Sequence, residues 1–155
     1  MLYPLSYEGT AENGHRSRGI GQLRSAAMAD VTVLVVDDDP VIMRLLEVNF
    51  EMEGYRVVTA TDGAQALERI AADRPDLVVC DIMMPVVNGL EVVERLRESD
   101  DETHRRLPVI LLWAKAQASE VQRGLDAGAD DYITKPFDPL ELIERVQALL
   151  ETSAQ

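Results

Sequence analysis

The feature that most constrains the fold is a short apolar run, from Leu77 to Cys80, that stops at the carboxylate of Asp81. Turn-forming residues bound this run, with Pro75 upstream and Pro85 downstream. A short apolar run between turn signals is typical of a strand that is buried on both faces of a parallel sheet. In open sheets of this kind, ligands bind at the carboxyl edge of the strands. The pattern therefore predicts that Asp81 stands in a binding site.

Two further apolar runs also end in charged residues. The run Val33–Val36 leads into the acidic triplet Asp37–Asp39, and the run Tyr132–Thr134 leads into Lys135. Because the carboxyl ends of parallel strands meet at one edge, we expect these charges to lie near Asp81. Carboxylates and an ammonium group drawn from three separated segments indicate a site rather than a solvated face.

Strand patterns and helical patterns alternate from Val31 onward, without an internal repeat. Such an alternation, joined by right-handed crossovers, predicts an α/β fold with a doubly wound five-stranded parallel sheet. We expect the flavodoxin-like strand order 2-1-3-4-5, which makes the first and third strands neighbours. The predicted strands are residues 31–36, 55–60, 77–80, 107–112 and 132–134.

The first helix is predicted to start at Asp39 and Pro40, a favourable N-cap followed by a residue that suits the first helical turn. Capping alone is an alternative explanation of the acidic triplet. Capping accounts for Asp39, but it does not account for the remaining charged residues together, namely Asp37, Asp38, Asp81 and Lys135. The residues of this helix that we expect to face the core are Val41, Ile42, Leu45, Leu46, Asn49 and Phe50.

Composition narrows the class of protein. The net charge of -13 argues against direct binding to DNA. The single cysteine, Cys80, excludes an internal disulfide and fits a reducing cytosol, so we expect a cytoplasmic protein. No apolar stretch reaches the roughly 18 residues that membrane insertion would need.

The first 29 residues differ from the remainder because they show no sustained hydrophobic period. We expect residues 1–29 to form a disordered extension and residues 30–152 to form the folded domain. Residues 1–27 are expected to add nothing to the fold. Met28 immediately precedes the ordered pattern and is a candidate for the true start.

Clustered carboxylates repel one another, at a cost of roughly 4 kcal/mol for each pair at about 4 Å and an effective dielectric near 20. Such a cluster must take up a proton or bind a cation. A small set of oxygen ligands indicates Mg²⁺. Zinc is disfavoured because Cys80 lies inside the apolar run. A carboxylate beside Mg²⁺ and a lysine can act as a nucleophile toward a phosphoryl donor.

Three ordered motifs resemble the receiver domain of two-component response regulators, the CheY-like family, over roughly residues 31–151. Val33–Asp39 resembles its acidic-pair strand, and Asp81–Pro85 followed by Asn88 and Gly89 resembles its phosphoacceptor loop. The segment 127–137 resembles its conserved-lysine segment.

The resemblance implies a role for each matching residue. Asp37 and Asp38 would be the acidic pair, and Asp81 would accept the phosphoryl group. Lys135 would contact that group, and the backbone carbonyl of Met83 would join the three aspartates as a Mg²⁺ ligand.

Three neighbouring positions complete the comparison with the family. The bond before Pro136 is the candidate for the family's cis peptide, and Tyr132 holds the position of its aromatic switch residue. Trp113 stands after the fourth strand, where the family carries Ser or Thr. An indole cannot copy a small hydroxyl, since it has one N–H donor and a large apolar body. We expect Trp113 either to sense the rim of the site or to cover the sheet edge as packing.

The implied function is that of a stand-alone response regulator, with a phosphoacceptor rather than an enzymatic role. Its partners would be a sensor histidine kinase or phosphotransfer protein and an unknown output protein, and homodimer formation stays open. An alternative is a pseudo-receiver, an interaction module whose switching is altered by Trp113. A remote alternative is a phosphatase of the haloacid dehalogenase type, because the acidic triplet also fits its Asp-x-Asp motif.

Overall fold

Five parallel strands form one sheet in the order β2-β1-β3-β4-β5. The structure is a computed structural model that describes residues 30–114 and 118–153. The predicted fold class and strand order are confirmed. Because β1 and β3 are neighbours, the chain segments that follow them emerge side by side at the carboxyl edge of the sheet. The strands are β1 (Thr32–Val36), β2 (Arg56–Ala60), β3 (Leu77–Asp81), β4 (Val109–Ala114) and β5 (Asp131–Lys135).

Helices follow the strands and cover both faces of the sheet. Side-chain caps start several of them; for example, Asp39 accepts from the amide of Val41, Asp62 accepts from that of Gln65, and Asn88 forms a capping box with Glu91. The four-residue helix α4 was not expected from the sequence. The helices are α1 (Pro40–Met52), α2 (Gly63–Asp73), α3 (Gly89–Arg97), α4 (Glu102–Arg105), α5 (Ala118–Ala127) and α6 (Pro139–Ser153).

The core has two layers, one on each face of the sheet. Alternate residues of the strands point to opposite faces, so each strand contributes to both layers. On one face they pack against α2, α3 and α5, with Ile70 and Leu96 among the buried helix residues. On the other face they pack against α1 and α6, through residues such as Phe50 and Leu142. Cys80 is buried in the first layer, as expected.

Two expectations about local structure were wrong. Leu46 and Phe50 of α1 are buried, but Val41 and Leu45 face solvent, because the sheet covers a narrower stripe of the helix than the apolar pattern suggested. The fourth strand was expected at residues 107–112. It begins later because Pro108 has no N–H to donate to the ladder, and it continues to Ala114 because β5 pairs with that end.

The extension predicted at residues 1–29 lies outside the described residues, apart from the boundary at Asp30. Among the helices of residues 30–114 and 118–153, none has the length and apolar character needed to cross a bilayer.

Candidate phosphoacceptor and metal site

Asp37 follows the last residue of β1 and is almost completely buried, with 1% of its surface exposed. Its carboxylate is held from two sides. One oxygen accepts a hydrogen bond from the amide of Asp39 at 2.9 Å, and the other accepts from the ammonium of Lys135 at 2.9 Å. Asp38 is exposed beside it. The tight turn that lets Asp39 cap α1 therefore also orients Asp37.

Asp81 is the last residue of β3 and is 6% exposed. Burial and the nearby charge of Asp37 raise the pKa of its carboxyl to about 6, and these effects outweigh the ammonium of Lys135 and the amide of Met83, which favour the charged form. The carboxyl is therefore mainly ionised at neutral pH, and its ionised form destabilises the folded state.

Lys135 ends β5 and reaches across the edge of the sheet to both buried carboxylates. Its Nζ lies 2.9 Å from Asp37 and 3.3 Å from Asp81. Burial alone would lower the pKa of Lys135, but the hydrogen bond to Asp37 and the charges of the two carboxylates raise it overall. The side chain is thus a fixed cation. The peptide bond from Lys135 to Pro136 is cis, as the sequence suggested.

The three aspartates that the sequence singled out come together at this edge. One carboxylate oxygen from each of Asp37, Asp38 and Asp81 lies within 4.8 Å of the others. Among the described residues, one ammonium, that of Lys135, contacts this cluster of three carboxylates, so these four groups together carry an excess of two negative charges when all are ionised. Oxygen donors in this number and charge suit Mg²⁺, which prefers carboxylates and keeps several waters.

The loop between β3 and α3 borders the cluster and is tightly seated. A side chain at Gly89 would place a Cβ 2.5 Å from the carbonyl oxygen of Asp81, so only glycine permits this approach. Within the loop, Val86 has a φ of 70°, a left-handed conformation that strains a β-branched residue. The Met83 side chain is exposed, and the role of its carbonyl as a metal ligand stays a prediction.

Trp113 lies inside β4 rather than after it, and it pairs with Thr134 of β5. It packs in the layer formed with α2, α3 and α5. Strand alternation places Asp81 and Lys135 on the opposite face, the one that α1 and α6 cover. The indole therefore does not project over the carboxylates, as a position at the rim of the site would require. Its ring meets that of Tyr132 edge-on, with centroids 5.8 Å apart.

Some features of the site could not be read from residue types alone. The fit of Gly89 against Asp81 and the strain at Val86 depend on how the loop packs. The hydrogen bond that the backbone amide of Asp39 donates to the carboxylate of Asp37 has a sequence signal, because aspartate side chains often accept from the backbone two residues on.

A family model described as the response regulator receiver domain matches residues 33–147. The chain belongs to this family. The match covers β1 from Val33 onward and the whole of the other four strands, and it includes every residue of the acidic cluster together with Lys135. The resemblance inferred from the three motifs is therefore confirmed at the level of the family.

Curated relatives of this receiver domain include response regulator MprA of Mycobacterium ulcerans, which is 49% identical over 120 residues. They also include the alkaline phosphatase synthesis transcriptional regulatory protein PhoP of Bacillus subtilis, which is 44% identical over 121 residues. These alignments cover 77% and 78% of this chain, but 50% and 49% of the relatives. The chain thus spans about half the length of the curated relatives it matches.

Solved receiver structures show the same architecture. The receiver domain of the Francisella response regulator 1452 has a TM-score of 0.72 and 37% identity, and the alignment covers 80% of this chain and 99% of that one. Chemotaxis response regulator CheY4 of Vibrio cholerae has a TM-score of 0.70 and 31% identity, with 77% and 98% covered. The receiver fold of this chain therefore agrees with solved structures over nearly their full length.

Proposed function

We propose that this receiver domain accepts a phosphoryl group on Asp81, with Mg²⁺, from a sensor histidine kinase or a phosphotransfer protein. The observation that carries the proposal is the charge arrangement at the carboxyl edge. Asp37, Asp38 and Asp81 are clustered there, and Lys135 reaches two of them. A site with this excess of negative charge is suited to a divalent cation, and the cation and Lys135 together suit a phosphoryl group.

Each residue of the site has a part in the proposed transfer. An ionised oxygen of Asp81 attacks phosphorus, the bond from phosphorus to the donor's imidazole nitrogen breaks, and an acyl phosphate forms. Lys135 is already within 3.3 Å of Asp81, so its charge can offset that of the phosphoryl oxygens. Asp37, Asp38, Asp81 and the carbonyl of Met83 would hold Mg²⁺, which supplies further positive charge to those oxygens when bound.

The test is the intact mass of the protein after exposure to acetyl phosphate and Mg²⁺. We expect one phosphoryl group per chain, loss of the label when Mg²⁺ is removed by chelation, and no label on Asp81→Asn. The matched control is Asp39→Asn, because Asn also caps helices and Asp39 lies beside the cluster. Undiminished labelling of Asp81→Asn would place the acceptor elsewhere and reject the assignment.

The pseudo-receiver is a second candidate, and the observation that favours it is Trp113, a buried indole in place of a hydroxyl. In that case partner binding would be the same in wild type and in Asp81→Asn, whether or not phosphodonor is added. Turnover of a phosphate ester at a steady rate would instead favour a phosphatase, an interpretation to which the family match adds no support.

We further propose that this domain signals in the cytoplasm through contacts with other proteins, acting as a stand-alone regulator. The net charge of -13 favours protein partners over direct contact between this domain and DNA. Beyond self-phosphorylation and self-dephosphorylation, we expect no enzymatic turnover. A direct comparison of DNA binding and protein capture by the purified chain tests this choice of partner.

A further inference from the structure

Trp113 and Tyr132 form a pair on one face of the sheet. Leu111 is the register partner of Tyr132, so Trp113 stands two residues further along β4 and is its diagonal neighbour. Aromatic side chains can reach one another across such a diagonal. The two rings meet edge-on, with an interplanar angle of 64°. The contact is therefore built into the register of β4 and β5.

The two rings of this pair differ sharply in exposure. Trp113 is 8% exposed and packs in the core layer formed with α2, α3 and α5, whereas Tyr132 is 36% exposed. The interior side of Tyr132 is thus taken up by the indole, and solvent lies on its outer side. Protein interiors are close-packed, so a second large ring cannot enter this space unless the first one leaves.

Ring volume, rather than hydrogen bonding, accounts for the position of the indole. Among the residues that the structure describes, the Nε1–H of Trp113 is buried and has no hydrogen-bond partner. An unpaired buried donor is destabilising, so packing must hold the ring in place against that cost. Its backbone is fixed as well, because Trp113 and Ala114 both have register partners in β5.

We propose that Trp113 is a wedge that keeps Tyr132 on the surface of β5 whether or not the Asp81 site is occupied. Tyr132 would then be a permanent part of the surface offered to partner proteins. A partner protein would then detect occupancy of the Asp81 site by contacting the carboxyl edge, and not through a change at Tyr132. This inference deepens the proposed phosphoacceptor function, and it rests on that function only where a phosphoryl mimic is used.

The experiment follows the solvent accessibility of Tyr132 by ¹⁹F NMR of protein labelled with 3-fluorotyrosine. The chain has four tyrosines, and Tyr132→Phe assigns the signal of interest. A soluble paramagnetic additive reports exposure, and Tyr55, which is 3% exposed, supplies the reference for a buried ring. In wild type we expect the accessibility of Tyr132 to be the same with and without Mg²⁺ and beryllofluoride.

Three substitutions of Trp113 test the wedge without any ligand. Trp113→Thr removes the ring volume, so the accessibility of Tyr132 should fall toward that of Tyr55. Trp113→Phe is the matched control, because it keeps a ring and removes the N–H, and Tyr132 should stay as exposed as in wild type. Trp113→Leu, which leaves a smaller space, serves the same test if the Thr variant does not fold.

Two outcomes would overturn the proposal. One is protection of Tyr132 in wild type when beryllofluoride binds. The other is unchanged exposure of Tyr132 in a folded Thr or Leu variant, because the indole would then not be what holds Tyr132 outward. Beryllofluoride binding is measured separately by calorimetry. If beryllofluoride does not bind, that result counts against the phosphoacceptor function. The comparison of the unliganded variants still decides the role of Trp113.

Discussion

The two edges of the sheet both carry partly buried charges, but they balance them differently. At the amino edge, Arg97 and Asp130 form one ion pair at 2.9 Å. At the carboxyl edge, within the part of the chain that the structure describes, Lys135 contacts two of the three clustered carboxylates, those of Asp37 and Asp81. Buried charges are tolerated when they are paired and hydrogen-bonded. The amino edge meets that condition within the protein, and the carboxyl edge does not.

At the amino edge, the guanidinium of Arg97 donates hydrogen bonds to several acceptors. This side chain donates to the carbonyls of Gly128, Arg105 and Leu107 and to the carboxylate of Asp130, at 2.9 to 3.0 Å. The same oxygen of Asp130 also accepts from the amide of Val109 at 2.8 Å. The network joins α3 to the starts of β4 and β5, so its role is to hold the fold together.

The charges that stabilise the fold and the charges that remain available to a ligand therefore lie at opposite edges of the sheet. A matched network lowers the free energy of the folded state and leaves nothing for a ligand to neutralise. An unmatched cluster raises that free energy, and a bound cation would recover the cost. Substitutions of the same chemical kind should therefore have opposite effects at the two edges.

The largest effect is expected at the amino edge. Arg97→Met leaves three carbonyls without this donor and Asp130 without its ion-pair partner, and it should lower the free energy of unfolding by about 3 kcal/mol. Urea denaturation measures the loss. The control is Arg69→Met, because the pair of Arg69 with Asp73 is half-exposed at 3.5 Å and should contribute less than about 0.5 kcal/mol. Equal losses in the two variants would contradict the contrast.

At the carboxyl edge, Asp81→Asn should instead stabilise the metal-free protein, by up to about 3 kcal/mol at pH 7. Folding raises the pKa of Asp81 from 3.8 to about 6, so the folded state holds this proton more tightly than the unfolded state. Wild-type stability should therefore fall, relative to the variant, as pH rises from about 4 to about 7, and the difference should level off above that.

The matched variant for this test is Asp130→Asn, which removes a carboxylate from the balanced edge and leaves Arg97 without its ion-pair partner. It should lose stability at pH 7. Denaturation curves in the presence of a chelator, collected across the pH range, compare the two variants. A loss of stability in both would show that the excess charge at the carboxyl edge carries no cost.

A smaller effect is expected in the loop beside the cluster. Val86 is 82% exposed and has a φ of 70°, so its side chain contributes little packing while its backbone is strained. Val86→Gly should stabilise the protein by about 1 kcal/mol, after the entropic cost of glycine is subtracted. Val86→Ala keeps the Cβ, so it should stabilise the protein by less than Val86→Gly does. A destabilised glycine variant in urea denaturation would show that Val86 is not strained.

The sequence was sufficient for the parts of this molecule that depend on periodicity and on strand ends. The alternation of strand and helix patterns predicted the strand order, and the apolar runs that stop at Asp37, Asp81 and Lys135 predicted the convergence of these charges. The balanced edge could not be predicted in the same way. Most partners of Arg97 are backbone carbonyls, which have no residue-type signature and are brought together only by the tertiary fold.

Trp113 shows the other limit of the sequence. A motif comparison placed it after β4, because the predicted strand ended where the aliphatic residues ended. In the structure the ladder with β5 continues through Trp113 to Ala114, so strand pairing decides which face the ring occupies. Local pattern cannot supply that information, because a shift of one residue moves a side chain to the opposite face.

Calorimetric titration of the metal-free protein with Mg²⁺ measures whether the excess charge at the carboxyl edge binds a divalent cation. We predict one Mg²⁺ per chain in wild type, affinity lowered at least about tenfold in Asp37→Asn and Asp81→Asn, and unchanged affinity in Asp130→Asn. Absence of binding to wild type, or equal affinities for all four proteins, would show that the carboxyl-edge cluster is not a site for a divalent cation.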